Sequence, residues 1–156
     1  MSGDRVRALV AEHSFVAGLD DSQLDVVAES AEPIVVEAGE LLFHEGRPAD
    51  HCYLVLHGQV GLEMHVPHRG AVTVATVGTD EVLGLSWLLP PRTWRFDARA
   101  RTAVHAVAID AEHLRRACDA DPVLDRLISH QLIGALSTRL EGARHQLLDL
   151  YRYGVD

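Results

Sequence analysis

Lysine is missing from this 156-residue chain: all fourteen basic residues are arginine, set against 23 acidic ones, for a formal net charge of −9. That balance argues against a surface devoted to nucleic acid, which needs a basic patch to neutralise phosphates, though it leaves room for a local basic pocket. Cysteine is nearly absent. Cys52 and Cys118 lie far apart and form no CxxC. Neither a disulfide framework nor an iron–sulfur cluster is expected, and a reducing, cytoplasmic setting fits. Aromatic residues make up only 5%, so the core must be built from Leu, Val, Ile and Ala. No apolar run approaches the ~20 residues of a membrane span. The opening Met1-Ser2-Gly3-Asp4-Arg5 lacks the apolar stretch of a signal peptide. Catalytic motifs are lacking too: there is no nucleophile elbow, phosphate-binding glycine loop or triad, and the chain does not read as an enzyme. The ten histidines include no HExxH. His57, His65 and His68 therefore read as surface residues, with no metal or resident cofactor expected.

What is present falls into three textures. Residues 1–32 are helix-like, with Asp21-Ser22 placed to cap a helix carrying Leu24, Val26, Val27 and Ala28. Residues 33–110 hold short β-rich runs: Ile34-Val35-Val36, Leu41-Leu42-Phe43, Tyr53-Leu54-Val55-Leu56, Val60-Gly61-Leu62 and Val72-Thr73-Val74. Gly39, Gly46, Gly58, Gly70 and Gly78 punctuate them. Such spacing predicts a sandwich, roll or barrel. An apolar, proline-broken stretch over 85–94 interrupts the series. Two more strands follow, the first with Phe96, Ala98 and Ala100 alternating against Arg95, Asp97, Arg99 and Arg101, the second through Val104, Ala106 and Ala108. The arginine face is expected to be solvated or an intersubunit edge. Residues 111–156 are helical: a short helix over 111–118, then a long one from Asp121-Pro122 to about 152. Ile133, Leu136, Leu140, Ala143, Leu147 and Leu150 repeat at spacings of 3, 4, 3, 4 and 3, a coiled-coil seam that predicts a homodimer.

Three runs, 37–46 (EAGELLFHEG), 53–60 (YLVLHGQV) and 77–84 (VGTDEVLG), resemble the cyclic-nucleotide-binding domains of catabolite-activator (Crp/Fnr)-type regulators, protein kinase A regulatory subunits and gated channels. The resemblance covers about 15–151. It implies one α+β domain: a double-stranded β-helix (β-roll, or jelly roll) of about eight strands, with N-terminal helices and a long C-terminal dimerisation helix. It also implies a regulatory sensor. In that family a short helix presents backbone N–H groups to the cyclic phosphate, a glutamate after a glycine takes the ribose hydroxyl, and an arginine about ten residues on pairs with the phosphate.

Here the glycine is Gly84, the glutamate position holds Leu85 and the arginine position holds Trp94. Strand parity points Trp94 into the roll and Arg95 out of it. Arg92 shares the inward parity but sits in the irregular stretch. The expected site is thus Gly84, Leu85, Ser86 and Trp87 with Arg92, Trp94 and Arg95. It offers backbone N–H groups, the Ser86 hydroxyl and an arginine to a small anion, and binds cyclic AMP weakly or not at all. The alternative is a ligand-free interaction module, its pocket plugged by Trp87 and Trp94, that dimerises and docks on a partner protein. Catabolite-activator-type regulators continue into a helix-turn-helix; this chain ends at Asp156, so direct DNA binding is not expected.

Overall fold

The computed structural model describes residues 3–153. The expected domain limits at 1–2 and 154–156 lie outside the described residues. Helix α1 (Gly3–Ala11), a 3₁₀ turn (Ser14–Val16) and helix α2 (Asp21–Ala28) lead into eight strands. These are β1 (Glu32–Val36), β2 (Leu41–Phe43), β3 (His51–His57), β4 (Val60–Val66), β5 (Gly70–Val77), β6 (Val82–Leu83), β7 (Asp97–Ala100) and β8 (Val104–Asp110). Helices α3 (Ala111–Ala120) and α4 (Pro122–Tyr153) complete the chain. No described helix is long and apolar enough to cross a membrane.

The strands form two antiparallel four-stranded sheets, ordered β1-β8-β3-β6 and β2-β7-β4-β5. The expected roll is present. Sequence neighbours are often split between sheets, so the core between them is closed by distant residues such as Leu54, Val60, Leu62, Ala98, Ala100 and Ala106. The period of two survives on β7, where Ala98 and Ala100 are buried while Asp97 and Arg99 are not. Strand β8 is buried on both faces along its second half, including Val107 and Ile109, because helix α3 packs against it and against β3. That is the pattern of an interior strand covered on each side.

Several local expectations need correction. The cap of α2 is Asp20, not Asp21 or Ser22. Its carboxylate accepts the Gln23 N–H at 2.8 Å, and the Gln23 side chain accepts the Asp20 N–H at 3.0 Å. This reciprocal pair satisfies two free donors of the first turn and outcompetes a one-sided cap. Phe96 lies in a bend before β7, half-buried against the core. The arginines on and just after β7 are not simply solvated. Glu63, buried on neighbouring β4, accepts from Arg99 Nε and Arg101 Nη2, both at 3.1 Å. The register that sets Glu63 opposite Asp97 brings these long side chains within reach. His57, His65 and His68 are exposed, but His13 is buried. His13 Nδ1 accepts the Phe15 N–H and its Nε2–H donates to the Glu81 carbonyl at 3.2 Å, tying the 3₁₀ turn to the approach to β6.

Helix α4 is capped by Asp121, whose carboxylate accepts the Val123 and Leu124 N–H groups. Its 32 residues span about 48 Å at ~1.5 Å per residue. The two halves differ. Leu124, Ile128 and Leu132 are buried in the core, whereas Ile133, Leu136, Leu140, Leu147, Leu148, Leu150 and Tyr151 are exposed.

Candidate functional site

The segment between β6 and β7 forms one wall of the site, and its shape starts at Gly84. There φ is +92°, and a Cβ would lie 2.8 Å from Trp94 Cη2. Only glycine combines that left-handed backbone with so close an approach. After Gly84 the chain makes turns instead of the short helix that the family resemblance implies; no helix occurs between β6 and β7. A weak bond from the Leu88 N–H to the Leu85 carbonyl (3.4 Å) closes the turn. Pro90 and Pro91 cannot donate backbone hydrogen bonds, which removes the ladder a helix needs. Among the described residues, the N–H groups of Leu85, Ser86 and Trp87 donate to no backbone acceptor.

The two tryptophans hold this wall in different ways. Trp87 is completely buried; its carbonyl accepts from Arg115 of α3 at 2.8 Å, while its indole N–H has no hydrogen-bond partner among the described residues. Trp94 is buried as its parity predicts. Its ring stacks on Phe43, with centroids 3.8 Å apart and planes 11° apart, and its backbone N–H donates to the Arg47 carbonyl at 2.9 Å. Trp87 anchors the wall from behind, and Trp94 forms the floor in front.

Between this wall, the outer β-strands and α4 lies an open cavity of about 590 Å³, within the size range of small-molecule pockets. Six of the seven expected cassette residues border it: Gly84, Leu85, Ser86, Arg92, Trp94 and Arg95. Trp87 does not, because it faces the core. Half of the expected seam, Leu136, Leu140 and Ala143, also borders the cavity, whereas Ile133, Leu147 and Leu150 do not. The sequence reading missed Arg139. It is partly buried, lines the cavity and donates to the Val82 carbonyl. Burial pulls its pKa below the usual arginine value, against the attraction of Glu81. Its signal was available: Leu124, Ile128, Leu132, Ala135 and Arg139 follow one helical stripe, so a charge there faces inward. Cys52, fully buried, has its thiol pushed up to about 12 by desolvation, which removes it as a nucleophile at neutral pH. Among the described residues no group of three or more His, Cys, Asp or Glu is placed to hold a metal ion.

The eight-stranded roll and the α3 helix behind it are the part of the chain that decides the family. Residues 33–121 match the family model of the cyclic nucleotide-binding domain. The chain belongs to that family. This cyclic nucleotide-binding domain is 25% identical over 142 residues to the CRP-like cAMP-activated global transcriptional regulator of Mycobacterium tuberculosis, covering 91% of this chain and 62% of the relative. The chain thus spans less than two thirds of that regulator's length. Among solved structures it is similar to a putative cyclic nucleotide-binding protein from Geobacter metallireducens, with 28% identity, a TM-score of 0.76 and coverage of 90% of this chain and 98% of that one. The fold is also that of the sensor domain of the transcriptional regulator DNR from Pseudomonas aeruginosa, at 19% identity and a TM-score of 0.70, over 94% and 93% of the two chains.

Proposed function

We propose that this domain is a cytosolic, non-enzymatic regulatory sensor that binds a small molecule in the cavity beside Gly84 and handles cyclic AMP poorly. The observation that carries the reading is the open cavity itself, bordered by six of the seven residues that the family resemblance assigns to the ligand cassette. An open site supports a ligand over a plugged docking module. Poor cyclic AMP binding follows from Leu85 and Trp94, which present apolar surface where a ribose hydroxyl and a phosphate need partners. A polar group left unsatisfied on transfer from water loses its compensation, and a charge loses more.

The domain is also proposed to act as a homodimer. The second half of α4 projects an apolar stripe, and Leu140 is 72% exposed. A second copy buries that stripe with a gain of ~25 cal/mol per Å², and half-helices without tertiary support are marginal in water. Leu136, Leu140 and Ala143 belong to both stripe and cavity wall, so filling the cavity acts directly on the proposed seam. Calorimetry with cyclic AMP and cyclic GMP, beside a thermal-shift screen of small anions, tests the ligand reading. Weak or absent heat with both nucleotides and a raised melting temperature with another anion is expected. Saturation by cyclic AMP at micromolar concentration refutes the argument from Leu85 and Trp94.

A further inference from the structure

The cavity's electrostatics run against those of the chain. The chain carries a net charge of −9, yet the ionisable residues bordering the cavity are Arg92, Arg95 and Arg139, with no aspartate or glutamate among them. The rest of the lining is apolar except for the hydroxyls of Ser86 and Thr93. Arg92 and Arg95 are exposed. Arg139 is different, being held on α4, from which its side chain reaches the Val82 carbonyl two residues before Gly84. It makes no ion pair among the described residues, and its side chain donates there only to the Val82 carbonyl. A guanidinium has five N–H donors, so most of its capacity is open. Glu81 attracts it without pairing. A partly buried cation without a counter-ion is costly, and an anion delivered to it is correspondingly favoured.

We propose that the cavity takes an amphipathic organic anion, an apolar or aromatic body carrying one carboxylate or sulfonate, with Arg139 of α4 as the partner of its headgroup. This rests on the reading of the cavity as the ligand site. The class follows from the lining: Phe43, Leu62, Leu85 and Leu132 suit an apolar body, whereas two hydroxyls cannot satisfy a ribose and a base together. The headgroup partner sits on the helix that carries the proposed seam, so charge recognition reaches the dimer contact through α4 itself.

Two fluorescent probes with the same body separate charge from apolarity: 1-anilinonaphthalene-8-sulfonate and the uncharged N-phenyl-1-naphthylamine. Each is titrated into the intact chain and into Arg139→Gln, Arg139→Lys and the cavity-filling Ala75→Phe, with circular dichroism confirming that each variant is folded. The wild type is expected to prefer the sulfonate by about tenfold, the size of a charge-assisted hydrogen bond. Arg139→Gln should abolish that preference without weakening the neutral probe, Arg139→Lys should keep most of it, and Ala75→Phe should weaken both. Equal binding of the two probes, or a preference that survives Arg139→Gln, overturns the anion assignment while leaving the cavity as a site. Failure of both probes to bind the folded wild type, or binding unaffected by Ala75→Phe, overturns the cavity reading as well. If Arg139→Gln does not fold, the Arg139→Lys titration and displacement of the sulfonate by decanoate but not by decanol decide the matter. Equal displacement by acid and alcohol overturns the proposal.

Discussion

Replacing Gly84 by alanine measures how firmly the floor of the cavity is fixed. The substitution adds two penalties. The first is the left-handed backbone at φ +92°, costing about 1–2 kcal/mol for a residue with a Cβ. The second is contact: the new Cβ sits 2.8 Å from Trp94 Cη2, 3.1 Å from Cζ3 and 3.3 Å from the His51 carbonyl oxygen. Trp94 cannot retreat, since Phe43 lies against its ring with centroids 3.8 Å apart. Overpacking of this kind costs about 1–3 kcal/mol. Gly39 supplies the matched control, because its φ is also +92° and nothing lies within 4 Å of the position its Cβ would take. Gly39→Ala should therefore lose only the backbone part. The entropy that alanine removes from the unfolded chain is common to both. Urea denaturation should show Gly84→Ala less stable than Gly39→Ala by about 1–3 kcal/mol, a gap of roughly 2–10 °C in melting temperature. Equal losses would show that Trp94 is not pinned against Gly84, and the cavity floor described above would be wrong.

Leu147→Asp alters the proposed seam without touching the cavity lining, and light scattering should report a monomer; a dimer that persists would place the interface elsewhere. Glu63→Gln removes the acceptor charge shared by Arg99 and Arg101. Both arginines are more than a third exposed and screened by water, so the loss should be about 1–2 kcal/mol in urea, and no loss would return β7 to a merely solvated face. Burial lowers the pKa of His13 below 6.5, so the unfolded chain takes up a proton before the folded one does. Stability should then fall as pH drops below about 6.5, and His13→Gln should flatten that slope; an unchanged slope would assign it to other groups.

The amino-acid sequence alone determined seven of the eight strands of the roll (β6 excepted), the helical character of the segments that flank it, the inward parity of Trp94 and the apolar stripe of α4. Each rests on a local period or a local turn: two along β7, three and four along α4, a glycine or proline at a boundary. Even the capping box is written in the sequence, since Asp20 and Gln23 stand at the spacing that a reciprocal cap requires. Tertiary structure decided the rest. That the 85–94 stretch turns without a helix, that Trp87 faces the core while Trp94 floors a cavity, and that Arg139 borders this cavity from a helix much later in the chain all depend on distant chain. So does the pairing of Glu63 with Arg99 on β7 and Arg101 just beyond it. Periodicity gives the direction of a side chain relative to its own element, but not what stands opposite. In a roll whose sheets interleave distant strands, the opposite wall comes from elsewhere in the sequence, and the electrostatics of the cavity are set there.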